Sequence, residues 1–193
     1  MRHFKLNIGT KLFILYFLVS STLVWFFAYR TSIESAKSVM IEVSSLMSRV
    51  ASQNNKDGEI DLETFEGLVV NYLRSQKNTV AIESNQKLEN LAIYVTNKDG
   101  LLVLDSRGLA LGIDMRVLNQ VDSVLKGEED IIRVVTELIP GPKKGRGAIT
   151  EWFYKSEFLH ASNPIYSNTG EVIGALVVVA PMMDLLDINY LFK

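Results

Sequence analysis

The sequence predicts an α+β protein in which an N-terminal transmembrane helix and a long stalk helix precede a five-stranded antiparallel sheet with flanking helices. Three observations predict this class. An uncharged apolar run lies near the N-terminus, and a helical apolar pattern follows it without Pro or Gly. The second half of the chain then holds short β-rich segments joined by turn sequences. Short hairpin links between strands favour an antiparallel sheet covered by helices.

The apolar run, Leu12 to Tyr29, contains no charged residue. As a helix it would extend roughly 27 Å, close to the hydrocarbon thickness of a bilayer. Bulky aromatic residues at its end disfavour cleavage as a signal peptide. Three basic residues precede it, Arg2, Lys5 and Lys11. By the positive-inside rule we expect residues 1–11 in the cytoplasm, residues 12–29 across a bacterial inner membrane and the remainder in the periplasm or outside the cell.

The composition excludes several kinds of chemistry. The chain has no Cys, which rules out disulfides, thiol nucleophiles and Cys-based metal sites. Its formal net charge of −2 gives no indication of nucleic-acid binding. The sequence contains neither a G-x-S-x-G, nor an H-E-x-x-H, nor a P-loop motif. We therefore predict no catalytic residue, metal or cofactor in this chain.

Residues 30–56 are predicted to continue the membrane helix outward as a stalk. Apolar residues recur there at spacings of three and four, as in a heptad seam: Ile33, Ala36, Met40, Val43, Met47 and Val50. Two interpretations fit this seam. It could pair with a second copy in a parallel homodimer, or it could pack on the sheet of its own domain. Both can hold when different flanks of the helix are used.

Two further helices are predicted in the domain. Asp61 would cap a helix from Leu62 to about Arg74, and residues 75–90 would form a loop or a short helical turn. Asp114 would cap another helix that ends at Gly127. The residues that this helix would turn inward are Val117, Leu118, Val121, Val124 and Leu125.

The strands are predicted from β-branched and apolar runs. Residues 93–96 and 101–105 form a hairpin around the turn "NKDG". Residues 130–138 and 150–165 supply two more strands. The last strand, residues 171–180, is almost continuously apolar, as expected of a central strand that is buried on both faces.

Four segments in this order resemble the PAS-like single Cache domains of bacterial membrane receptors, and among these the sensor region of CreC-type histidine kinases. They are "YVTNKDGLLVLDS", Leu111–Gly112, Asn163–Ile165 and "GEVIGALVVVAPM". The resemblance implies that residues 57–182 form a PAS-like sheet that floors an extracytoplasmic ligand pocket. It also implies a dimer, and a helix starting in residues 183–193 that leads toward a second membrane segment, a kinase module and a response regulator.

The chain departs from the kinase pattern because it has no phospho-accepting His motif and no nucleotide-binding glycine boxes. Two functions stay open. The chain could be the signal-sensing region of a two-component histidine kinase that binds a small ligand. Alternatively, it could be a membrane-anchored, stand-alone periplasmic sensor or interaction protein that acts through a protein partner.

Four residues are candidates for ligand binding because strand alternation would point polar groups into an apolar pocket. Arg133 interrupts the run "DIIRVV", and its guanidinium suits a small organic anion. His160 and Ser162 share one face of a strand, and Tyr94 lies on the first arm of the hairpin. The alternatives are that Arg133 faces solvent, that His160 is a structural histidine and that Tyr94 belongs to the core.

Overall fold

The structure, a computed structural model, describes residues 7–56, 58–79, 91–107, 111–140 and 153–182. It confirms the predicted α+β class: a long N-terminal helix precedes a five-stranded antiparallel sheet with helices packed on it. Several predictions concern segments that lie outside these residues. They are the basic N-terminus 1–6, residues 80–90 of the predicted loop 75–90, the segment 141–152 and the C-terminal segment 183–193.

The first helix, α1, runs without interruption from Ile8 to Gln53. Its apolar run, residues 12–29, is uncharged and largely exposed, and within the described residues α1 is the one helix long and apolar enough to cross a membrane. No Pro or Gly interrupts α1 between this run and its end at Gln53. The apolar run and the stalk are therefore one continuous helix.

The apolar seam of α1 packs on the sheet of its own domain. Met40 is 0% exposed, and Ala36, Met47 and Ala51 are also buried in the larger core cluster. Ile33, Val43 and Val50 pack partly buried against the same cluster. Of the two interpretations of the seam, packing on the sheet is therefore the one that the structure shows.

After α1 the chain forms a two-stranded ladder, β1 (Asn55–Lys56) with β2 (Glu59–Ile60), and then helix α2, Leu62–Thr79. The stalk helix thus ends three residues earlier than predicted, because Asn54 caps it. Asp61 begins α2 as predicted: its carboxylate accepts hydrogen bonds from the backbone N–H and the hydroxyl of Thr64. The helix continues past Arg74, since no Gly or Pro stops it there.

The main sheet has the strand order β4-β3-β7-β6-β5, and every neighbouring pair is antiparallel. Its strands are β3 (Ala92–Asn97), β4 (Leu102–Asp105), β5 (Ile131–Pro140), β6 (Phe153–Tyr166) and β7 (Val172–Pro181). Strand β7 is central, and residues 173–180 are buried. This confirms the interpretation of the last apolar run as a central strand.

The hairpin turn between β3 and β4 fixes one end of the sheet. The side chain of Asn97 accepts hydrogen bonds from the backbone N–H groups of Asp99 and Leu101. Gly100 has a φ of +78°, and a Cβ there would lie 2.4 Å from Cγ of Arg116. A side chain at residue 100 would therefore strain the turn and displace Arg116.

The helix after Asp114 differs from the prediction. Asp114 accepts a hydrogen bond from the backbone N–H of Arg116, but it begins a 3₁₀ turn, Met115–Val117. The helix itself, α3, spans Asn119–Leu125. Val117, which was expected to point inward, is 79% exposed because it belongs to the 3₁₀ turn rather than to the helix. Val121 and Val124 are buried as expected.

Candidate ligand-binding site on the α3 face

The sheet has two differently covered faces. Helices α1 and α2 cover one face and form the larger core cluster with it. On the other face, which we call the α3 face, α3 and the preceding 3₁₀ turn pack against a smaller cluster. The sheet residues of that cluster include Tyr94, Phe158, Val177 and Val179. Strand alternation puts His160 and Ser162 on the α3 face as well, because each is an even number of residues from Phe158.

The β-ladder brings three of the four predicted residues close together. Ser162 and Tyr94 are both register partners of Val177, so they flank it on opposite sides. His160 lies two residues before Ser162 on β6 and is the register partner of Val179 on β7. Tyr94, His160 and Ser162 are all buried. The three side chains therefore lie on one face of the sheet, on the two strands that flank β7.

His160 is fixed between the sheet and α3. Its side chain is 1% exposed, and its Nδ1 lies 3.2 Å from Nε2 of Gln120 on α3. Burial, together with the positive charge of Arg107, lowers the pKa of His160 from 6.5 to about 4. The imidazole is therefore neutral at pH 7. When the Gln120 amide donates to Nδ1, the imidazole proton lies on Nε2.

Two buried polar atoms on this face have no hydrogen-bond partner among the described residues, Nε2 of His160 and Oγ of Ser162. Oε1 of Glu137 lies 3.3 Å from that nitrogen, but without the geometry of a hydrogen bond. Ser162 is 0% exposed. Buried polar groups are nearly always paired, so two unpaired groups two residues apart require a reason. Both are shielded from solvent here, so they could donate a hydrogen bond to a bound molecule only where the side chains that cover them move aside.

Arg107, just after β4, brings a positive charge to the same place. Its guanidinium carbon lies 5.4 Å from the ring centre of Phe158 and 6.0 Å from that of Tyr94. These are cation–π distances. The residue is exposed, so its charge is at the border between the buried rings and solvent. Burial raises the pKa of Tyr94, and the nearby Arg107 partly opposes that shift. Tyr94 is therefore a neutral phenol at pH 7.

Glu137 supplies the negative charge of the site. It lies on β5, two residue pairs beyond Val135, which is the partner of Phe158. The Glu137 side chain is about one-third exposed, and it lies close enough to both His160 and Tyr94 to act on them electrostatically. The site thus combines a cation, Arg107, with an anion, Glu137, beside two unpaired buried polar atoms.

The fourth predicted residue, Arg133, lies at the margin of this site. It is the register partner of His160, and directly opposed side chains of a ladder point to the same face. However, β5 is an edge strand and Arg133 is exposed. Its guanidinium is therefore available at the rim, whereas Arg107 is the arginine that lies against the buried rings.

Sequence reasoning missed Arg107, Gln120, Glu137 and Phe158. For two of them the signal was present: alternation along β5 puts Glu137 on the same face as Arg133, and alternation along β6 puts Phe158 with His160. Gln120 is a polar residue within the apolar stripe of a short helix. The position of Arg107 depends on how the chain turns after β4, and no local pattern shows this.

Two open clefts lie elsewhere on the molecule. One, of about 230 Å³, is bounded by the β1–β2 turn and the β3–β4 turn, and includes Glu59 and Lys98. The other, of about 360 Å³, lies between α1 and the end of β6 and includes Arg49 and Tyr166. Among the described residues that line them, none has a buried polar side-chain atom without a partner. The α3 face differs from both clefts in this respect.

No protein-family model matches the chain, and no curated protein matches it. Solved structures do match. The sensor domain of the V. cholerae histidine kinase DctB aligns with a TM-score of 0.51 and 10% identity, over 87% of this chain and 57% of that one. The periplasmic sensory domain of the Campylobacter jejuni chemoreceptor Tlp1 aligns with a TM-score of 0.48 and 15% identity, over 86% and 60%.

The ligand-binding domain of the Pseudomonas aeruginosa amino acid chemoreceptor PctC, solved with GABA, aligns with a TM-score of 0.45 and 16% identity, over 80% of this chain and 60% of that one. The chain thus spans less than two-thirds of the length of each of these structures. At these identities the likeness is one of fold. The fold is similar to that of the sensor domain of the histidine kinase DctB, while the nearer resemblance to CreC-type kinases stays a prediction.

Proposed function

We propose that this chain is the extracytoplasmic signal-sensing region of a membrane-bound two-component histidine kinase, and that it binds a small ligand with an acidic group on the α3 face. One observation carries the proposal: His160 Nε2 and Ser162 Oγ are buried on one face of β6 with no hydrogen-bond partner among the described residues, and the guanidinium of Arg107 is close enough to act on His160 electrostatically. An acidic group could accept hydrogen bonds from both atoms and pair with the guanidinium.

In this proposal each side chain of the site contacts or limits a different part of the ligand. Arg107 is the anion anchor in this proposal, Arg133 assists from the rim, and the rings of Tyr94 and Phe158 enclose the apolar part of the ligand. Glu137 repels a second negative charge next to His160, so a compact ligand with one acidic group suits the site better than a bulky polyanion. A neutral His160 donates a hydrogen bond without contributing charge.

We also propose an arrangement in the membrane. Among the described residues one helix can cross a membrane, and the domain after it has the fold of a histidine-kinase sensor domain; both fit a single-pass protein with an extracytoplasmic sensor. The N-terminus lies in the cytoplasm by the positive-inside rule. Residues 57–182 then form the sensor, and residues 183–193 lead back toward the membrane, a kinase module and its response regulator.

A parallel homodimer is part of the same proposal. Since the heptad seam packs on the sheet, a dimer contact would use the opposite flank of α1. Exposed residues recur on this flank at spacings of three and four: Ser35, Ser38, Glu42, Leu46, Arg49 and Gln53. Membrane anchoring of both copies would hold their α1 helices parallel. One exposed leucine among polar residues fits a weak contact strengthened by that anchoring.

A second role, as a stand-alone sensor or interaction protein, is supported by a different observation. Three large apolar side chains before α3 are exposed, Leu111, Ile113 and Val117. Exposed apolar side chains close together are typical of sites that contact another protein. In this role the α3 face would bind no small molecule, and ligand titrations would leave the protein unchanged.

The experiment that tests the proposal is a melting series. The full chain, in detergent micelles, is heated with each member of a panel of small carboxylates, phosphates and amino acids. A ligand present at one hundred times its dissociation constant stabilises the folded state by about 2.7 kcal/mol, which raises the melting temperature by roughly 5 to 10 °C at this size. Ser162→Ala should abolish most of that rise. A flat panel with well-folded protein would contradict the proposal and favour the protein-partner role.

A further inference from the structure

We propose that Asn163 is a relay residue that joins the α3 side of the sheet to α1. The inference rests on the proposed function, because it describes how occupancy of the candidate site would reach the membrane helix. Asn163 follows Ser162 on β6, so its side chain points to the opposite face, toward α1. It is 4% exposed, and both ends of its amide make hydrogen bonds.

The two hydrogen bonds reach different elements. Oδ1 of Asn163 accepts a hydrogen bond of 2.9 Å from the backbone N–H of Asp130. Nδ2 donates one of 2.8 Å to Oγ of Ser44 on α1, and that hydroxyl donates in turn to the carbonyl of Ile41. Because a backbone N–H can only donate, the bond to Asp130 fixes the orientation of the amide. The donor end must then face α1.

The first partner, Asp130, is the last residue of the connection between α3 and β5, residues 126–130. Asp130 has a φ of +52°, and it is the one non-glycine residue with positive φ among those described. Such a conformation is strained and persists only where its surroundings hold it. The bond to Asn163 does so, and Tyr166 adds a second restraint through its hydroxyl, which donates to the carboxylate of Glu129 at 2.9 Å. The connection would therefore respond to a shift of Asn163.

The second partner belongs to a ladder of serines on α1. Ser44, Ser48 and Ser52 are each about one helical turn apart. Ser48 donates to the carbonyl of Pro164, and Ser52 accepts a hydrogen bond of 2.9 Å from the backbone N–H of Tyr166. This serine ladder follows the end of β6, and directional bonds define its register more sharply than apolar contacts do. Two residues of β6 reach both this ladder and the α3 connection: Tyr166 does so through Glu129, and Asn163 through the positive-φ residue Asp130.

Both routes from the candidate site converge on Asn163. Along β6, Ser162 is its direct neighbour. Along the covering helix, Gln120 contacts His160, and α3 leads through residues 126–130 to the strained Asp130. A ligand that moves either β6 or α3 would act on the same buried amide. Asn163 then passes the displacement to Ser44 and hence to the continuous helix that enters the membrane.

Hydrogen exchange tests this relay without a ligand. The full chain in micelles is compared with Ser44→Ala, which removes the α1 partner, and the exchange of the Asp130 amide is measured by NMR. We expect it to accelerate at least about fivefold, because Asn163 loses its second anchor. The matched control is Ser52→Ala on the same ladder. It should speed exchange at Tyr166 and affect Asp130 much less than Ser44→Ala does, because Ser52 reaches the connection only through Tyr166 and Glu129.

Two outcomes would overturn the relay. One is an unchanged Asp130 rate in Ser44→Ala. The other is an equal acceleration in both variants, which would mean general loosening of α1. Amides of the central strand β7, such as that of Val178, report global opening and should be unaffected. Should Ser44→Ala not fold, Ser44→Cys keeps the shape with a weaker acceptor and should give a smaller acceleration at Asp130.

The relay and the proposed function fail differently in these experiments. If no panel compound binds while Ser44→Ala still accelerates exchange at Asp130, the relay holds and the ligand proposal fails. If a compound binds but exchange at Asp130 does not depend on Ser44, the sensor proposal survives and the signal takes another route.

Discussion

At the scale of single residues, the molecule is marked by two buried polar atoms that have no hydrogen-bond partner within the described part of the chain. Nε2 of His160 and Oγ of Ser162 lie in an otherwise well-packed face. Leaving a buried donor or acceptor unpaired costs about 1 to 3 kcal/mol. Elsewhere the same fold pairs its buried polar side chains carefully, as Asn163 and Ser44 show. A local cost of this kind is expected at a functional site.

Ser162→Ala should therefore stabilise the unliganded protein or leave its stability unchanged, by 0 to about 1 kcal/mol, since it removes a hydroxyl without a partner. Ser44→Ala is the matched control. It should lower the free energy of unfolding by about 1 kcal/mol, because it removes the acceptor of the Asn163 Nδ2 hydrogen bond. Urea denaturation of both variants measures the difference. A clear loss of stability in Ser162→Ala would mean that the hydroxyl is paired after all, and the ligand argument would weaken.

Arg107→Ala should reduce the affinity for an acidic ligand by roughly 10- to 100-fold, since a charge-assisted pair contributes about 1.5 to 3 kcal/mol. Titration calorimetry with the best panel compound measures the change. Arg49→Ala, on the α1 side of the sheet, should leave the affinity unchanged. Arg133→Ala should have an intermediate effect, because Arg133 lies at the rim. An effect of Arg133 larger than that of Arg107 would contradict the assignment of the anchor.

The sequence permitted part of this site to be predicted. Alternation is enough to place His160 and Ser162 on one face, and β-propensity is enough to place Tyr94 in a strand. Alternation does not tell which end of a strand lies near a covering helix. The sequence therefore favours Arg133, whereas Arg107 is the arginine that lies against the buried rings. That contact is long-range, and it depends on the turn that follows β4.

At the scale of elements, α1 combines an apolar segment long enough to cross a membrane with a segment that covers the sheet. Its heptad pattern was compatible with a coiled coil and with packing on a sheet, because both bury one stripe of a helix. Only the tertiary structure distinguishes them. Strands with dense β-branched runs were predictable, whereas the two-residue ladder β1–β2 was not, since so short a segment carries no periodic signal.

The opposite flank of α1 gives a prediction for the proposed dimer. Leu46, which is 52% exposed, lies at the centre of that flank. Leu46→Glu should weaken self-association at least about tenfold, because it would bring two carboxylates together at a parallel contact. Analytical ultracentrifugation in micelles measures the effect. Val134→Glu, at an exposed position on β5, should leave association unchanged. Equal association of the Leu46 variant and the parent would exclude this flank as the contact.

At the scale of the whole molecule, stability should depend on pH through His160. Its pKa is about 4 when folded and near 6.5 when unfolded, so protons bind the unfolded chain more tightly. The stability that comes from keeping His160 neutral is fully present above about pH 6.5 and is lost as the pH falls to about 4. Below that pH, His160 causes no further change in the free energy of unfolding. The lost stability is on the order of 3 kcal/mol. Arg107, which opposes a positive imidazole, and Glu137, which favours it, both face this ring.

Denaturation by urea between pH 4 and 7.5 measures this dependence. Carboxylates titrate in the lower part of this range, so the informative quantity is the difference between the parent and His160→Gln. The parent should lose more stability than the variant on acidification. Parallel profiles would show that His160 is less buried than the structure has it.

The central claim is that a ligand contacts the α3 face at His160, and the imidazole itself can report this. The chain has only two histidines, His3 and His160, so ¹⁵N labelling of histidine gives a simple spectrum, and His3→Ala assigns it. We would titrate the panel compound that stabilises the protein most, at pH 7. The account predicts a neutral imidazole whose Nε2 resonance shifts with the ligand, and in Ser162→Ala the same shift at a roughly 10- to 100-fold higher ligand concentration. A resonance unchanged at saturation would contradict it and place binding elsewhere.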